Sequence, residues 1–203
     1  MTINMERPMA TTPADWVPGP KQGHWTYADY AALSDDGNRY EVVSGVLFMT
    51  PSPGGAHQDA VGEIFTYLRE HVKQGGLGLV RIAPFDVELA PGTVVQPDVF
   101  VVLSEHFDKI TDNRILGAPD LVVEVASPGT AIYDRHNKLE AYARAGVPEY
   151  WIANPATHTV EVLVLESGKY RALGVFQGKA VLPSEIIPGL DVPVEKFFES
   201  IWS

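Results

Sequence analysis

The sequence predicts an α/β (α+β) fold in which helices flank a mixed β-sheet. Short β-rich runs bounded by glycine or proline alternate with two longer segments of helical periodicity. The run Leu121–Val125 is aliphatic apart from Glu124, which is typical of a strand buried on both faces. A chain of 203 residues suits one sizeable core. We therefore expect a flexible arm over residues 1–21 and a single domain over residues 22–203.

Local patterns predict each element in turn. Thr26 and Asp29 have the spacing of a capping box, which predicts a short helix from residue 26. Ser44-Gly45 separates two β-rich runs and predicts a hairpin. Apolar residues at helical spacing predict a helix over 56–74 that covers one sheet face. Strands are predicted over 78–90, 93–103, 119–126 and 149–153, and a mobile loop over 104–116. A second long helix is predicted over 131–145 on the opposite sheet face. The remaining elements are a hairpin of 159–165 and 169–176, a strand-like piece over 180–182 and a helix over 193–201.

Composition restricts the compartment and the partners. The chain has no cysteine, which excludes disulfides and zinc–thiolate sites and fits a cytoplasmic protein. No stretch approaches the roughly 20 apolar residues of a membrane span, and the proline-containing first 20 residues do not resemble a signal peptide. The net charge of −11 argues against strong DNA binding. Any basic patch would be local, and its candidates are Arg69, Lys73, Arg81, Arg114, Arg135 and Lys138.

Two acidic residues occur within apolar runs that are predicted to be neighbouring strands. Asp98 lies in Gln96–Val102, and Glu124 lies in Leu121–Val125. Burying a carboxylate costs several kcal/mol unless a cation or hydrogen-bond donors compensate, and two buried carboxylates repel each other. A metal ion is a common remedy, and oxygen ligands suit Mg²⁺ or Mn²⁺. For Asp98 alone, capping of a turn after a proline is an equally good interpretation.

A lysine follows on the next predicted helix. Lys138 shares a helix face with Asp134 and Tyr142, one turn on either side. An Asp, a Glu and a Lys that converge at a sheet edge are typical of a metal-dependent phosphodiesterase. The alternative for Lys138 is an ordinary solvated lysine.

Two further residues are candidates for the same site. Glu41 shares a strand face with Val43, which is unusual for a solvent-exposed position. His57 opens the long helix after Gly54-Gly55 and could approach Glu41, although a lone histidine is more often structural. The sequence has no phosphate-binding P-loop, no glycine-rich dinucleotide motif, no HExxH and no Gly-x-Ser-x-Gly.

At these residues the chain resembles a bacterial restriction-endonuclease family, the Uma-two-like proteins, which is a branch of the PD-(D/E)XK nuclease superfamily. The likeness covers roughly residues 26–198 and departs from the superfamily at Ala126, where lysine is usual, and at Asn154, where aspartate is usual. Lys138 then becomes the candidate lysine. The matching stretches are Tyr40–Gly45, His57-Gln58, Gln96–Val99, Glu124–Thr130, Asp134, Lys138, Tyr142 and Ala145–Pro155.

The resemblance implies a restriction-endonuclease-like core and a Mg²⁺-dependent endonuclease acting on DNA. Asp98 and Glu124 would hold the metal, with Glu41 as a further candidate ligand. Lys138 would orient or activate the attacking water, and His57 would assist. Such enzymes commonly work as dimers, and the predicted hairpin over 159–176 is a candidate interface. Two alternatives stay open: a catalytically inactive binding or assembly module of the same fold, and a hydrolase of small phosphoesters.

Overall fold

The computed structural model describes residues 11–127 and 137–199, whose strands form two six-stranded sheets. In spatial order, the first sheet contains β1 (Thr12–Pro13), β3 (Val46–Thr50), β2 (Arg39–Val43), β6 (Thr93–Val95), β5 (Asp86–Ala90) and β8 (Arg114–Leu116). The second contains β12 (Lys169–Gln177), β11 (Thr159–Glu166), β10 (Glu149–Asn154), β9 (Leu121–Val125), β7 (Val99–Leu103) and β4 (Gly78–Ile82). The helices are α1 (Tyr27–Ala31), α2 (Gly55–Gln74) and α3 (Leu139–Ala145).

Both sheets mix parallel and antiparallel pairs. Strands β9 and β10 are parallel, as are β5 and β8, and the other pairs are antiparallel. The predicted α/β class with mixed sheet structure is therefore confirmed. The strands form two sheets rather than the one sheet that the sequence predicts, because the chain changes sheet five times, at β3→β4, β4→β5, β6→β7, β7→β8 and β8→β9.

Two of these crossings, β4→β5 and β6→β7, occur where the sequence predicts uninterrupted strands. The predicted strand over 93–103 is broken at Gln96-Pro97-Asp98, so that β6 joins the first sheet and β7 the second. Pro97 has no N–H for a sheet hydrogen bond. The N–H of Gln96 donates to the Glu41 carboxylate instead of to a strand. The predicted strand over 78–90 is divided in the same way into β4 and β5, with a break after Ile82.

Alternate residues of β7 and β9 face two different layers. Val99, Val101, Leu121 and Val123 pack in one cluster with the apolar face of α2. The residues between them pack in a second cluster with strands of the first sheet and with α3. The two longer predicted helices thus cover opposite faces of the second sheet, as expected from the sequence.

The segment that the sequence predicts as a mobile loop is ordered. A 3₁₀ helix occupies Ser104–Lys109, and β8 follows at Arg114–Leu116. Buried Asp120 holds this segment: its carboxylate accepts from Leu103 N at 2.8 Å and lies 2.7 Å from His106 Nδ1. The mobile-loop prediction was wrong because polar side chains here bind one another rather than solvent.

The ends of the described chain are attached to the sheets. Thr12–Pro13 pairs with β3, although it lies in the segment for which the sequence predicts a flexible arm, and Ala14 is fully buried. Near the other end, Val181 pairs with Pro193 in place of the strand-like piece, and Val194–Phe198 is a 3₁₀ helix.

The predicted helix over 131–145 is described only in part. Asp134 and Arg135 lie outside the described residues, and α3 ends at Gly146, whose φ of 86° is the left-handed conformation that glycine adopts without strain. Within residues 11–127 and 137–199, no helix is long and apolar enough to cross a membrane.

Candidate active site

A small cavity of about 30 Å³ lies where the chain passes from the first sheet to the second. All five residues that the sequence predicts for the site line this cavity, together with Arg39, which sequence reasoning missed. The five are Glu41, His57, Asp98, Glu124 and Lys138. Glu41 lies on β2, His57 on α2 and Glu124 on β9, while Asp98 immediately precedes β7 and Lys138 immediately precedes α3. The structure therefore brings the candidates together, and their chemical roles stay predictions.

Asp98 lies immediately before β7 rather than inside a strand, and it is held by two donors. Its Oδ2 accepts from Val125 N at 2.8 Å and lies 3.1 Å from His57 Nε2. Burial favours the neutral acid, but the His57 hydrogen bond and charge, the Val125 amide and the Lys138 charge outweigh it and hold the pKa of Asp98 below its ordinary value. Asp98 is therefore a carboxylate at neutral pH. His57 thus contacts Asp98 directly, which the sequence did not specify.

Glu124 points from the centre of β9 into the cavity, and one of its oxygens has two donors. Oε1 accepts from Lys138 Nζ at 3.0 Å and from the Tyr142 hydroxyl at 2.6 Å. Lys138 and Tyr142 are one helical turn apart and both are buried. Burial and the Glu124 charge raise the pKa of Tyr142 well above its ordinary value, so the hydroxyl keeps its proton and donates.

Glu41 completes a group of three buried carboxylates. Its Oε1 accepts from Gln96 N at 2.8 Å and lies 2.9 Å from Lys138 Nζ. Its Oε2 is buried and has no hydrogen-bond partner among the described residues. Lys138 consequently contacts one carboxylate from each sheet, Glu41 from the first and Glu124 from the second.

The donor set fits a hard divalent cation, although the side chains do not form a ligand cage as they stand. Within residues 11–127 and 137–199, no group of three or more His, Asp or Glu side chains is placed to hold a metal ion. The carboxylate oxygens instead accept from Lys138 and His57. Oxygen ligands are nonetheless those that Mg²⁺ and Mn²⁺ prefer, and Oε2 of Glu41 is a buried acceptor with no hydrogen-bond partner among the described residues. Asp98 and Glu124, with Glu41, would hold such an ion.

The basic patch predicted from the sequence does not form around this cavity in the described part of the chain. Arg69 and Lys73 line a separate hollow on α2, and Arg114 pairs with Glu88 at 3.0 Å. Besides Lys138, the described basic residue lining the cavity is Arg39. The signal for Arg39 was available, because residues two apart on a strand share a face and Arg39 lies two residues before Glu41.

Comparison with known proteins agrees with this architecture. A solved structure, titled a putative nuclease belonging to DUF820, from Anabaena variabilis ATCC 29413, superposes with a TM-score of 0.72 at 18% identity and covers 86% of this chain and 97% of its own. That similarity shows a shared fold. No curated protein matches the chain. The model of the Uma2 family, described as "Putative restriction endonuclease", matches residues 27–195. Because this match spans most of the 203 residues, the chain belongs to the Uma2 family.

Proposed function

We propose that the protein is a Mg²⁺- or Mn²⁺-dependent endonuclease that hydrolyses phosphodiester bonds of DNA. The observation that carries the proposal is the convergence of three buried carboxylates and one buried lysine on a single cavity: Glu41, Asp98, Glu124 and Lys138. This set of groups is costly to bury without a function. The family description and the fold of the DUF820 protein support a nuclease.

Each residue has a role that its contacts support. Asp98 and Glu124 are the proposed metal ligands, with Glu41 beside them. A bound divalent ion would lower the pKa of water and neutralise charge on the phosphate. Lys138 reaches the carboxylates from α3 and is placed to orient the water or to stabilise negative charge in the transition state. His57 positions Asp98 through its hydrogen bond.

The proposed partners are DNA and a second copy of the chain, and the proposed compartment is the cytoplasm. With 26 acidic and 15 basic residues, DNA must bind against a repulsive background, so we expect activity at low salt only. The hairpin of β11 and β12 is the proposed dimer element. Strand β12 is an edge strand, and Val175 on it is 63% exposed.

The test is metal-dependent cleavage of supercoiled and single-stranded DNA at low salt, with wild type compared with Asp98→Asn. We expect wild type to nick or cut only with Mg²⁺ or Mn²⁺ and the variant to be inactive. The matched control is Asp108→Asn, which makes the same change in charge on the exposed 3₁₀ helix and should cleave like wild type. Equal cleavage by wild type and Asp98→Asn would identify a contaminant and remove the support for the site.

A catalytically inactive nuclease-fold module is the second candidate. It is favoured by the net charge of −11 and by Lys138, which already pairs with Glu41 and Glu124 and compensates part of their charge. Binding of Mn²⁺ with no turnover of DNA, RNA or a small phosphoester would select this module over the endonuclease.

A further inference from the structure

One basic side chain that lines the cavity, that of Arg39, forms no ion pair with an acidic residue of the described structure. Arg39 lies on β2, two residues before Glu41, and its side chain lines the same cavity. Its Nε is buried without a hydrogen-bond partner, and it forms no ion pair with a carboxylate in residues 11–127 or 137–199. Lys138, by comparison, contacts two carboxylates in the same cavity. An arginine held beside acidic groups without pairing with them is placed for an anion from outside the chain.

Arg39 lies at the border of the carboxylate cavity. A second small cavity, of about 10 Å³, is lined by residues 37–39 and 49–52 and shares Arg39, Thr50 and Pro51 with the carboxylate cavity. Thr50 is the strand partner of Arg39, and its hydroxyl donates to the Arg39 carbonyl at 3.3 Å. Ser52, which also lines the second cavity, is exposed, so Arg39 lies between the buried carboxylates and the protein surface.

We infer that Arg39 binds a backbone phosphate of the nucleic acid strand, next to the phosphate at the carboxylate site. The inference rests on the proposed nuclease function. A guanidinium presents a planar fork of N–H donors that matches a phosphate, which a lysine cannot reproduce. In a chain of net charge −11, one unpaired arginine at the site supplies attraction that the overall charge does not.

The experiment compares Arg39→Gln, Arg39→Lys and Arg69→Gln. Arg69→Gln makes the same loss of charge at an exposed position of α2, where Arg69 lines a hollow separate from the carboxylate cavity. Cleavage is measured in otherwise wild-type protein. Binding of a labelled oligonucleotide is measured by anisotropy in the Asp98→Asn background over a series of salt concentrations. Calorimetric titration with Mn²⁺ in the wild-type background, together with circular dichroism, reports on the metal site and the fold.

We expect Arg39→Gln to weaken oligonucleotide binding by roughly 10- to 100-fold, the usual effect of losing a charge-assisted contact. The slope of the logarithm of the binding constant against the logarithm of the salt concentration should become shallower by about 0.7 to 0.9, the contribution of one phosphate contact. Arg39→Lys should recover the slope but only part of the affinity. Mn²⁺ affinity should be unchanged, and Arg69→Gln should bind like its parent.

The outcomes separate the inference from the function on which it rests. If wild type cleaves DNA and Arg39→Gln binds and cleaves like wild type and Arg69→Gln, the inference is wrong and the nuclease stands. Equal losses in both variants would also overturn it, because they would report overall charge. If wild type neither binds nor cleaves nucleic acid, the proposed function fails and the inference fails with it. A loss confined to Arg39→Gln, with folding and Mn²⁺ binding intact, supports the assignment.

Discussion

Replacing Lys138 with methionine should destabilise the protein strongly in the absence of metal. The Lys138 side chain is 5% exposed, and its Nζ lies 2.9 Å from Glu41 Oε1 and 3.0 Å from Glu124 Oε1. Removing one member of a buried ion pair typically costs about 3–5 kcal/mol, because the remaining charge is left uncompensated. Here two carboxylates lose the same cation. For a chain of this size, such a loss lowers the melting temperature by roughly 6–20 °C.

Metal should recover part of the stability lost in Lys138→Met. A ligand that binds only the folded state at 100 times its Kd contributes about 2.7 kcal/mol. We expect Mn²⁺ to raise the denaturation midpoint of Lys138→Met more than that of wild type, because Glu41 and Glu124 no longer share an ammonium group. The assay is urea denaturation followed by tryptophan fluorescence, with and without Mn²⁺.

The matched control makes the same substitution at an exposed pair. Lys196 Nζ lies 2.6 Å from Glu199 Oε1, but its side chain is 41% exposed, so Lys196→Met should leave the midpoint nearly unchanged. If Lys138→Met and Lys196→Met were equally stable, the buried contacts to Glu41 and Glu124 would not exist in solution, and the reasoning about the site would be refuted.

Two further predictions concern Glu149 and Glu124. Burial raises the pKa of Glu149 above its ordinary value of 4.5 despite hydrogen bonds, so its ionisation costs stability; that cost is absent below about pH 4.5 and grows as pH rises through the raised pKa. The stability of wild type minus that of Glu149→Gln should therefore fall with rising pH in thermal melts, and a flat difference would contradict the buried ionisation. Glu124→Gln should weaken Mn²⁺ binding by about tenfold or more in calorimetry without changing the circular dichroism spectrum, whereas the exposed α3 variant Glu140→Gln should bind like wild type. Equal affinity in Glu124→Gln and Glu140→Gln would remove Glu124 from the ligand set.

Much of the fold follows from short-range patterns. Thr26 and Asp29 form the predicted capping box, with Asp29 N donating to Thr26 Oγ1 at 3.3 Å and Thr26 N donating to Asp29 at 3.0 Å. Hairpins at Ser44-Gly45 and Ser167-Gly168 form because both residues in each turn adopt positive φ. These features depend on adjacent residues, which is why sequence reasoning locates them.

The assignment of strands to two sheets could not be predicted in the same way. Nothing within residues 93–103 says that the strands on either side of Pro97 pair with different partners. That choice depends on Glu41, which is more than 50 positions away and accepts from the N–H of Gln96. The segment 104–116 was mistaken for a loop for a related reason, because its order depends on Asp120, which lies 14 residues after His106 and 17 after Leu103.

The site was partly predictable because an acidic residue inside an aliphatic run is conspicuous. Glu124 met that criterion, and Asp98 met it in combination with Glu124. Arg39 did not, because an arginine at the start of a strand is ordinary in sequence. Its spacing of two residues from Glu41 places it on the same strand face, but its position beside Asp98, Glu124 and Lys138 follows only from the tertiary structure.

The contacts of Lys138 have a consequence for how the molecule assembles. Its ammonium joins Glu41 of the first sheet to Glu124 of the second, across sequence separations of 97 and 14 residues. Neither sheet carries the complete site, because one carboxylate of the Lys138 pair of contacts belongs to each sheet. The site therefore exists only while the two sheets are packed together, and a local opening that separates them would disperse its charged groups even if the strands of each sheet stayed paired.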